Sequence, residues 1–223
     1  MLVTIESVLD APALRQVRRI LDESSFVPGT ASAGARAAKV KNNSELPLGA
    51  AELDALNNIV MSRLVQNSVY RDAVLPLKIA APFYARYTSG MYYGPHVDDP
   101  VMGEGPRYRS DVSITVFLNA PDEYDGGELC VQTVFGEREI KLGAGSAVLY
   151  PSSSVHLIKE ITRGVRLVAV TWAQSMVSSA EQRDLLFTLA RARNELHETA
   201  ADSDAATWVD QAYVNLVRMW SQV

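Results

Sequence analysis

Apolar positions recur at helical spacing at both ends of this chain and at a two-residue period through its middle. Leu14, Val17, Ile20 and Leu21 form one stripe. Asp10 precedes it as an N-cap, and Pro12 falls in the first turn, where its missing N–H costs little. This pattern predicts a helix to about residue 23. Leu53, Leu56, Val60 and Leu64 predict a second helix over about 50–67, and residues 28–49 between the two are rich in Gly, Ala, Ser and Asn and read as loop. From about residue 75 to 174 the chain reads as short strands: 77–87, 110–118, 128–133, 139–142, 146–150 and 165–172. Turn signals separate them at Ser89-Gly90, Asp125-Gly126-Gly127, Gly136, Gly143 and Gly145. The pair Gly126-Gly127 predicts a tight hairpin. Helical spacing returns after Ser179, with Leu185, Leu186, Leu189 and Leu196 in one stripe and Trp208, Ala212, Leu216 and Trp220 in another. The expected fold is mainly β with flanking α, a sandwich or barrel with helices at both ends. Residues 1–74 form an N-terminal helical support, 75–177 the core and 178–223 a C-terminal helical extension.

Composition narrows the class. The 223 residues suit one core with appendages, and 48% hydrophobic with 21% charged residues exclude a disordered, collagenous or coiled-coil chain. A net charge of −5 lacks the basic footprint of a nucleic-acid binder. The single Cys130 excludes an intrachain disulfide, a zinc finger and a CxxC redox motif. No apolar run has the length of a membrane span, and the first ten residues carry acids where a signal peptide carries bases. A cytoplasmic protein without membrane partners is expected.

The candidate chemistry lies with two of the three histidines. His197 sits near the end of an Arg-rich helical segment and reads as solvated. His96 and Asp98 are two apart, so an extended strand would place both on one face. They could grip a divalent metal, or simply hydrogen-bond to each other. His156 follows Asp98 after 57 intervening residues, and Arg166 comes ten residues later inside the apolar run 165–172. Alternation puts Arg166, Val168, Val170 and Trp172 on one face. An arginine on a buried face is costly without an anion; on an exposed face it is ordinary. Two histidines and one carboxylate make the facial triad of non-haem Fe(II) oxygenases. Its open positions would accept O2 and a chelating keto acid, whose far carboxylate Arg166 could clamp.

These residues stand in a recognisable order. Residues 85–98 (Ala-Arg-Tyr-Thr-Ser-Gly-Met-Tyr-Tyr-Gly-Pro-His-Val-Asp), Asp125-Gly-Gly-Glu-Leu, Tyr150-Pro-Ser-Ser-Ser-Val-His and Arg166 resemble the 2-oxoglutarate/Fe(II)-dependent dioxygenases of the prolyl 4-hydroxylase type. Residues 34–43, Trp172-Ala-Gln-Ser and the helical tail extend the resemblance over nearly the whole chain, to the bacterial PKHD-type hydroxylases. The resemblance implies a double-stranded β-helix, a cupin-like jelly-roll. It implies Fe(II) on His96, Asp98 and His156, 2-oxoglutarate on Arg166 and Tyr87, and ascorbate as the reductant of oxidised iron. Phe117 stands where some relatives carry a second tyrosine, so Ser113 or Thr115 is expected to supply that hydroxyl. The implied reaction hydroxylates a C–H bond of a peptide or small molecule and releases succinate and CO2. Arg36, Lys39 and Lys41 form a solvated loop by composition, and a lid or substrate contact by their place in the resembling segment. Trp208 and Trp220 read as core or homodimer contacts. The rival readings are a non-enzymatic cupin-like module binding a metal or small anion, and an interaction protein whose histidines are incidental.

Overall fold

The computed structural model describes residues 1–32, 37–103 and 105–223. Its centre is the 15-residue strand Ile161–Ser175, which pairs antiparallel with Val112–Phe117 on one side and Phe83–Thr88 on the other. Tyr124–Gly126 and Pro76–Ile79 pair with its two ends, and the major sheet continues outward through Ala147–Pro151 to Val3–Ile5 and through Ser44–Glu45 to Val27–Pro28. The opposing sheet runs Gly136–Ile140, Leu129–Thr133, His156–Ile158, Tyr92–His96 and Lys41–Asn42. A mainly antiparallel β core flanked by helices matches the fold expected from the strand pattern.

Alternation along the central strand is the organising device. Leu167, Ala169 and Ala173 face the N-terminal helices, where they join Ile114, Val116 and Leu149 against Val17, Leu21, Leu56, Val60 and Leu64. Val168 faces the opposing sheet with Phe117, Val148, Tyr87, Leu129 and Val131. Both faces of the major sheet are therefore buried, each large apolar side chain contributing roughly 1.5–3 kcal/mol. Strands from the first 45 residues extend both sheets, so the N-terminal support shares the core's hydrogen bonds as well as its packing.

The first helix forms as its sequence predicts, over Ala11–Glu23, with the Asp10 carboxylate accepting from the Ala13 N–H at 2.8 Å. Other elements differ. The predicted strand 77–87 is two strands, because the link at Ala80-Ala81-Pro82 leaves ladder geometry and Pro82 has no N–H to pair. The second helix, Leu53–Gln66, is followed at once by a third, Ser68–Val74, which the apolar pattern did not separate; Asn67 divides them by capping the Tyr70 N–H. Gly126 and Gly127 do not close a hairpin. They carry the chain from the major sheet to the opposing one at φ +73° and +69°, and a Cβ on Gly126 would stand 2.0 Å from the Glu160 carbonyl oxygen. The C-terminal helices Ala180–Thr199 and Asp204–Trp220 dock through Leu186, Ala190 and Tyr213 against Leu75 and Val177. Leu185 and Trp208, placed in apolar stripes by their spacing, are 62% and 66% exposed, so Trp208 is not a core contact. Docking through the neighbouring positions turns them outward. No helix among the described residues is long and apolar enough to cross a membrane.

Candidate active site

The two sheets enclose a cavity of about 610 Å³ whose lining includes His96, Asp98, His156, Arg166, Tyr87 and Thr115. Pairing of His156–Ile158 with Tyr92–His96 sets His156 directly opposite His96. Asp98 lies just beyond that strand. The nitrogen and oxygen donors of His96, Asp98 and His156 all fall within 4.8 Å of one another. Each histidine places Nδ1 against a backbone carbonyl, His96 on Gly94 at 2.9 Å and His156 on Ser154 at 3.0 Å. A carbonyl only accepts, so Nδ1 carries the proton and Nε2 presents its lone pair. Burial and then the neighbouring His156 lower the His96 pKa to about 4, keeping its ring neutral and able to ligate at neutral pH. Tyr93 stacks on His96, with ring centroids 3.7 Å apart and planes 13° from parallel. The donor set suits a divalent transition metal with imidazole and carboxylate preference.

Arg166 lies deeper in the cavity. It is 1% exposed, and its three guanidinium nitrogens have no hydrogen-bond partner among the described residues. Its central carbon sits 5.1 Å from the Tyr87 ring centroid and 5.6 Å from that of Phe117. The Tyr124 hydroxyl, also without a hydrogen-bond partner of good geometry, lies close enough for Arg166 to favour its ionised form, although burial raises its pKa overall. A cation held without an anion in an apolar pocket is the costly arrangement anticipated from the strand alternation. An entering carboxylate would satisfy it with paired N–H bonds. Burial pushes the Tyr87 hydroxyl up to about 12, partly offset by Arg166 and by a hydrogen bond with Asn43.

Other predicted residues are placed differently. The Ser113 hydroxyl donates to Asp98 Oδ2 at 2.5 Å and lies 2.8 Å from the Ser152 hydroxyl, so it holds a metal-site carboxylate instead of lining the cavity. Thr115 does line the cavity, where it is hydrogen-bonded with Tyr150. Lys41 is not solvated: its ammonium sits 2.5 Å from Glu45 Oε1, both side chains are buried, and both border the cavity. Lys39 is exposed and outside the cavity lining, and Arg36 lies outside the described residues. Cys130 is buried, and burial pushes its thiol up to about 11, consistent with an inert core residue. His197 is half-exposed, 3.6 Å from Asp210.

Sequence reasoning assigned no role to Tyr93, Tyr150 or the indole of Trp172, all of which border the cavity. For Trp172 the signal was present. It shares the inward face with Arg166, and a buried indole N–H requires an acceptor. The acceptor is Asp98 Oδ2, at 2.9 Å.

Residues 82–174 match the 2OG-Fe(II) oxygenase superfamily. A PKHD-type hydroxylase of Thioalkalivibrio sulfidiphilus is 46% identical over 224 residues, covering all of both chains. Among solved structures, a prolyl-4-hydroxylase of Pseudomonas putida superposes with a TM-score of 0.51 at 22% identity, over 78% of this chain and 92% of that one. HygX of Streptomyces hygroscopicus, with nickel and 2-oxoglutarate bound, superposes with a TM-score of 0.53 at 14% identity, over 79% and 84%. These two structural likenesses bear on the fold, which in both is the double-stranded β-helix of 2OG-Fe(II) oxygenases.

Proposed function

The chain belongs to the PKHD-type hydroxylases of the 2OG-Fe(II) oxygenase superfamily, and from that premise we propose that His96, Asp98 and His156 hold the iron and Arg166 the far carboxylate of 2-oxoglutarate. The protein is a 2-oxoglutarate-dependent hydroxylase, which displaces the reading of a non-enzymatic binding module. When bound, iron and 2-oxoglutarate supply the oxidising chemistry that inserts oxygen from O2 into a C–H bond and releases succinate and CO2.

The chain's own residues supply geometry and charge. The Gly94 and Ser154 carbonyls fix both imidazole tautomers, so no proton must leave Nε2 before a metal arrives. Arg166 offers a forked set of donors in the cavity wall, beside the Tyr87 and Phe117 rings and almost wholly out of solvent. Tyr87 and Thr115 flank the volume a keto diacid would fill. The guanidinium of Arg166, without a hydrogen-bond partner among the described residues and lining the same cavity as the three metal donors, is the observation that carries this reading.

Residues 75–177 are taken as the catalytic core, with 1–74 and 178–223 as its supports. Lys41, in the cavity wall, is assigned to contact the prime substrate, a peptide or small molecule. Ascorbate, through re-reduction of iron, is assigned to sustain turnover, and a cytoplasmic location fits a chain whose single cysteine can form no internal disulfide. Homodimerisation through the C-terminal helices is a separate proposal, supported by the exposure of Leu185 and Trp208 and decided by sedimentation.

Anaerobic addition of Fe(II) and 2-oxoglutarate tests the site without a prime substrate. The wild-type protein is expected to develop a visible metal-to-ligand charge-transfer band, and Asp98→Ala and Arg166→Ala to weaken or lose it. A band of full intensity at the same 2-oxoglutarate concentration in both folded variants would overturn the assignment.

A further inference from the structure

Two hydrogen bonds converge on one oxygen of Asp98. The Trp172 indole N–H donates to Oδ2 at 2.9 Å and the Ser113 hydroxyl to the same atom at 2.5 Å. The other oxygen, Oδ1, faces His156 Nε2 at 3.8 Å. The convergence follows from sheet register. Ser113 and Trp172 are directly paired across the strands Val112–Phe117 and Ile161–Ser175, so both side chains leave the sheet on the same face. Tyr150 completes that row on the next strand, and Phe83 packs edge-on against the indole with centroids 5.7 Å apart. The Ser152 hydroxyl, 2.8 Å from that of Ser113, is placed to donate to it and so orient its proton toward Asp98.

We propose that Trp172 and Ser113 are positioning residues that confine Asp98 to one-oxygen ligation of the metal. The inference rests on the reading of Asp98 as a ligand and goes beyond it. A carboxylate oxygen offers two lone-pair sites. Two donors at short range occupy both on Oδ2, leaving only Oδ1 for a metal. A carboxylate free to turn could bind through both oxygens and take an additional coordination position. The pair of donors therefore keeps that position open for a chelating co-substrate and O2. It also couples the cavity wall to the metal, because Trp172 belongs to both.

The test uses Mn(II) as a probe that binds without oxygen chemistry. Trp172→Phe removes the N–H and keeps a ring against Phe83. Ser113→Ala removes one atom from a buried strand, and keeps the test available if the first variant does not fold. Calorimetric titration is expected to give roughly 10-fold weaker Mn(II) binding in each variant, the low end of the effect of losing a support to a metal ligand. In Mn(II)-minus-apo infrared difference spectra of aspartate-labelled protein, the parent is expected to show the wide splitting of carboxylate stretches that marks one-oxygen ligation. The double variant is expected to show a narrowed splitting, a change that altered packing alone would not produce.

Asp98→Ala separates the two levels of the argument. If it abolishes Mn(II) binding while Trp172→Phe and Ser113→Ala bind within twofold of the parent with unchanged splitting, the positioning proposal is wrong and the ligand assignment stands. If Asp98→Ala binds Mn(II) as the parent does, the ligand assignment fails and the proposal falls with it.

Discussion

Arg166 and Asp98 both hold their charged side chains largely out of solvent, yet their surroundings have opposite character. Asp98 is met by two donors, whereas the Arg166 guanidinium lies against aromatic rings with no hydrogen-bond partner among the described residues. An unpaired buried charge destabilises the protein that carries it, and an apolar replacement of similar volume is often neutral or stabilising by about 1–4 kcal/mol. Arg166→Met is therefore expected to melt at the same temperature as the parent or higher without ligand, while losing 2-oxoglutarate binding; calorimetry and ligand titration measure the two effects. Arg166→Lys keeps the charge and loses the fork, and its 2-oxoglutarate affinity is expected to drop about 10-fold or more, in keeping with one lost charge-assisted bond. A melting temperature lowered by several degrees in Arg166→Met would contradict the view that this residue is held for binding at the expense of stability.

At the scale of elements, close approaches decide what the strands can carry. Gly127, at φ +69°, brings the backbone so near the central strand that a Cβ there would stand 2.2 Å from Ile161 Cδ1 and 3.0 Å from Arg166 Cδ. Gly127→Ala is expected to lose about 1–3 kcal/mol of stability from backbone strain and to weaken 2-oxoglutarate binding by displacing Arg166; denaturant melts and ligand titration would read both. The first helix is tied to the loop after Val112–Phe117 by two 2.7 Å hydrogen bonds from Arg18 to Glu123. The bond to Arg18, ahead of that from Asn119, holds the Glu123 carboxyl below its usual range. A depressed carboxylate adds stability above its unfolded-state pKa and loses it as pH falls through the folded one. Arg18→Ala should accordingly flatten the acid limb of a melting-temperature profile below about pH 4.5, a small effect because both side chains are about one-third exposed. An unchanged acid limb would remove Glu123 from the account of acid stability.

For the whole molecule, the cavity spans both sheets, so ligands that fill it should hold the sheets together. Ligand bound to the native state alone stabilises it by about 2.7 kcal/mol at a hundredfold excess over Kd. Fe(II) with 2-oxoglutarate under argon is expected to raise the melting temperature, 2-oxoglutarate after chelator treatment to raise it far less, and excess chelator to reverse the gain. Equal shifts with and without metal would show that the keto acid is held by Arg166 alone, without chelation.

The ligand types, their order and the single face shared by Arg166, Val168, Val170 and Trp172 are legible in the sequence by itself, whereas the inward turn of that face is not. A His-x-Asp pair, a second histidine and an alternating strand bearing arginine are local features, governed by side-chain chemistry and the two-residue period of extended backbone. The helix begun by Asp10 is legible for the same reason, since its cap, its proline and its stripe act within one turn of one another. Gly126-Gly127 signals a special backbone, but not whether it turns a hairpin or crosses between sheets. That depends on Glu160 and Ile161, more than thirty residues away. Leu185 and Trp208 satisfy helical spacing and still face solvent, because the docking face is chosen by Leu75 and Val177. Lys41 is a basic loop residue in sequence and half of a buried ion pair in the fold. The support of Asp98 depends most on assembly. Ser113 and Trp172 are 59 residues apart along the chain, and only the register of two strands brings their hydrogens to one oxygen. Local chemistry can be read along a chain, but which donor meets which acceptor across a sheet is set by long-range pairing, which carries no mark at either residue alone.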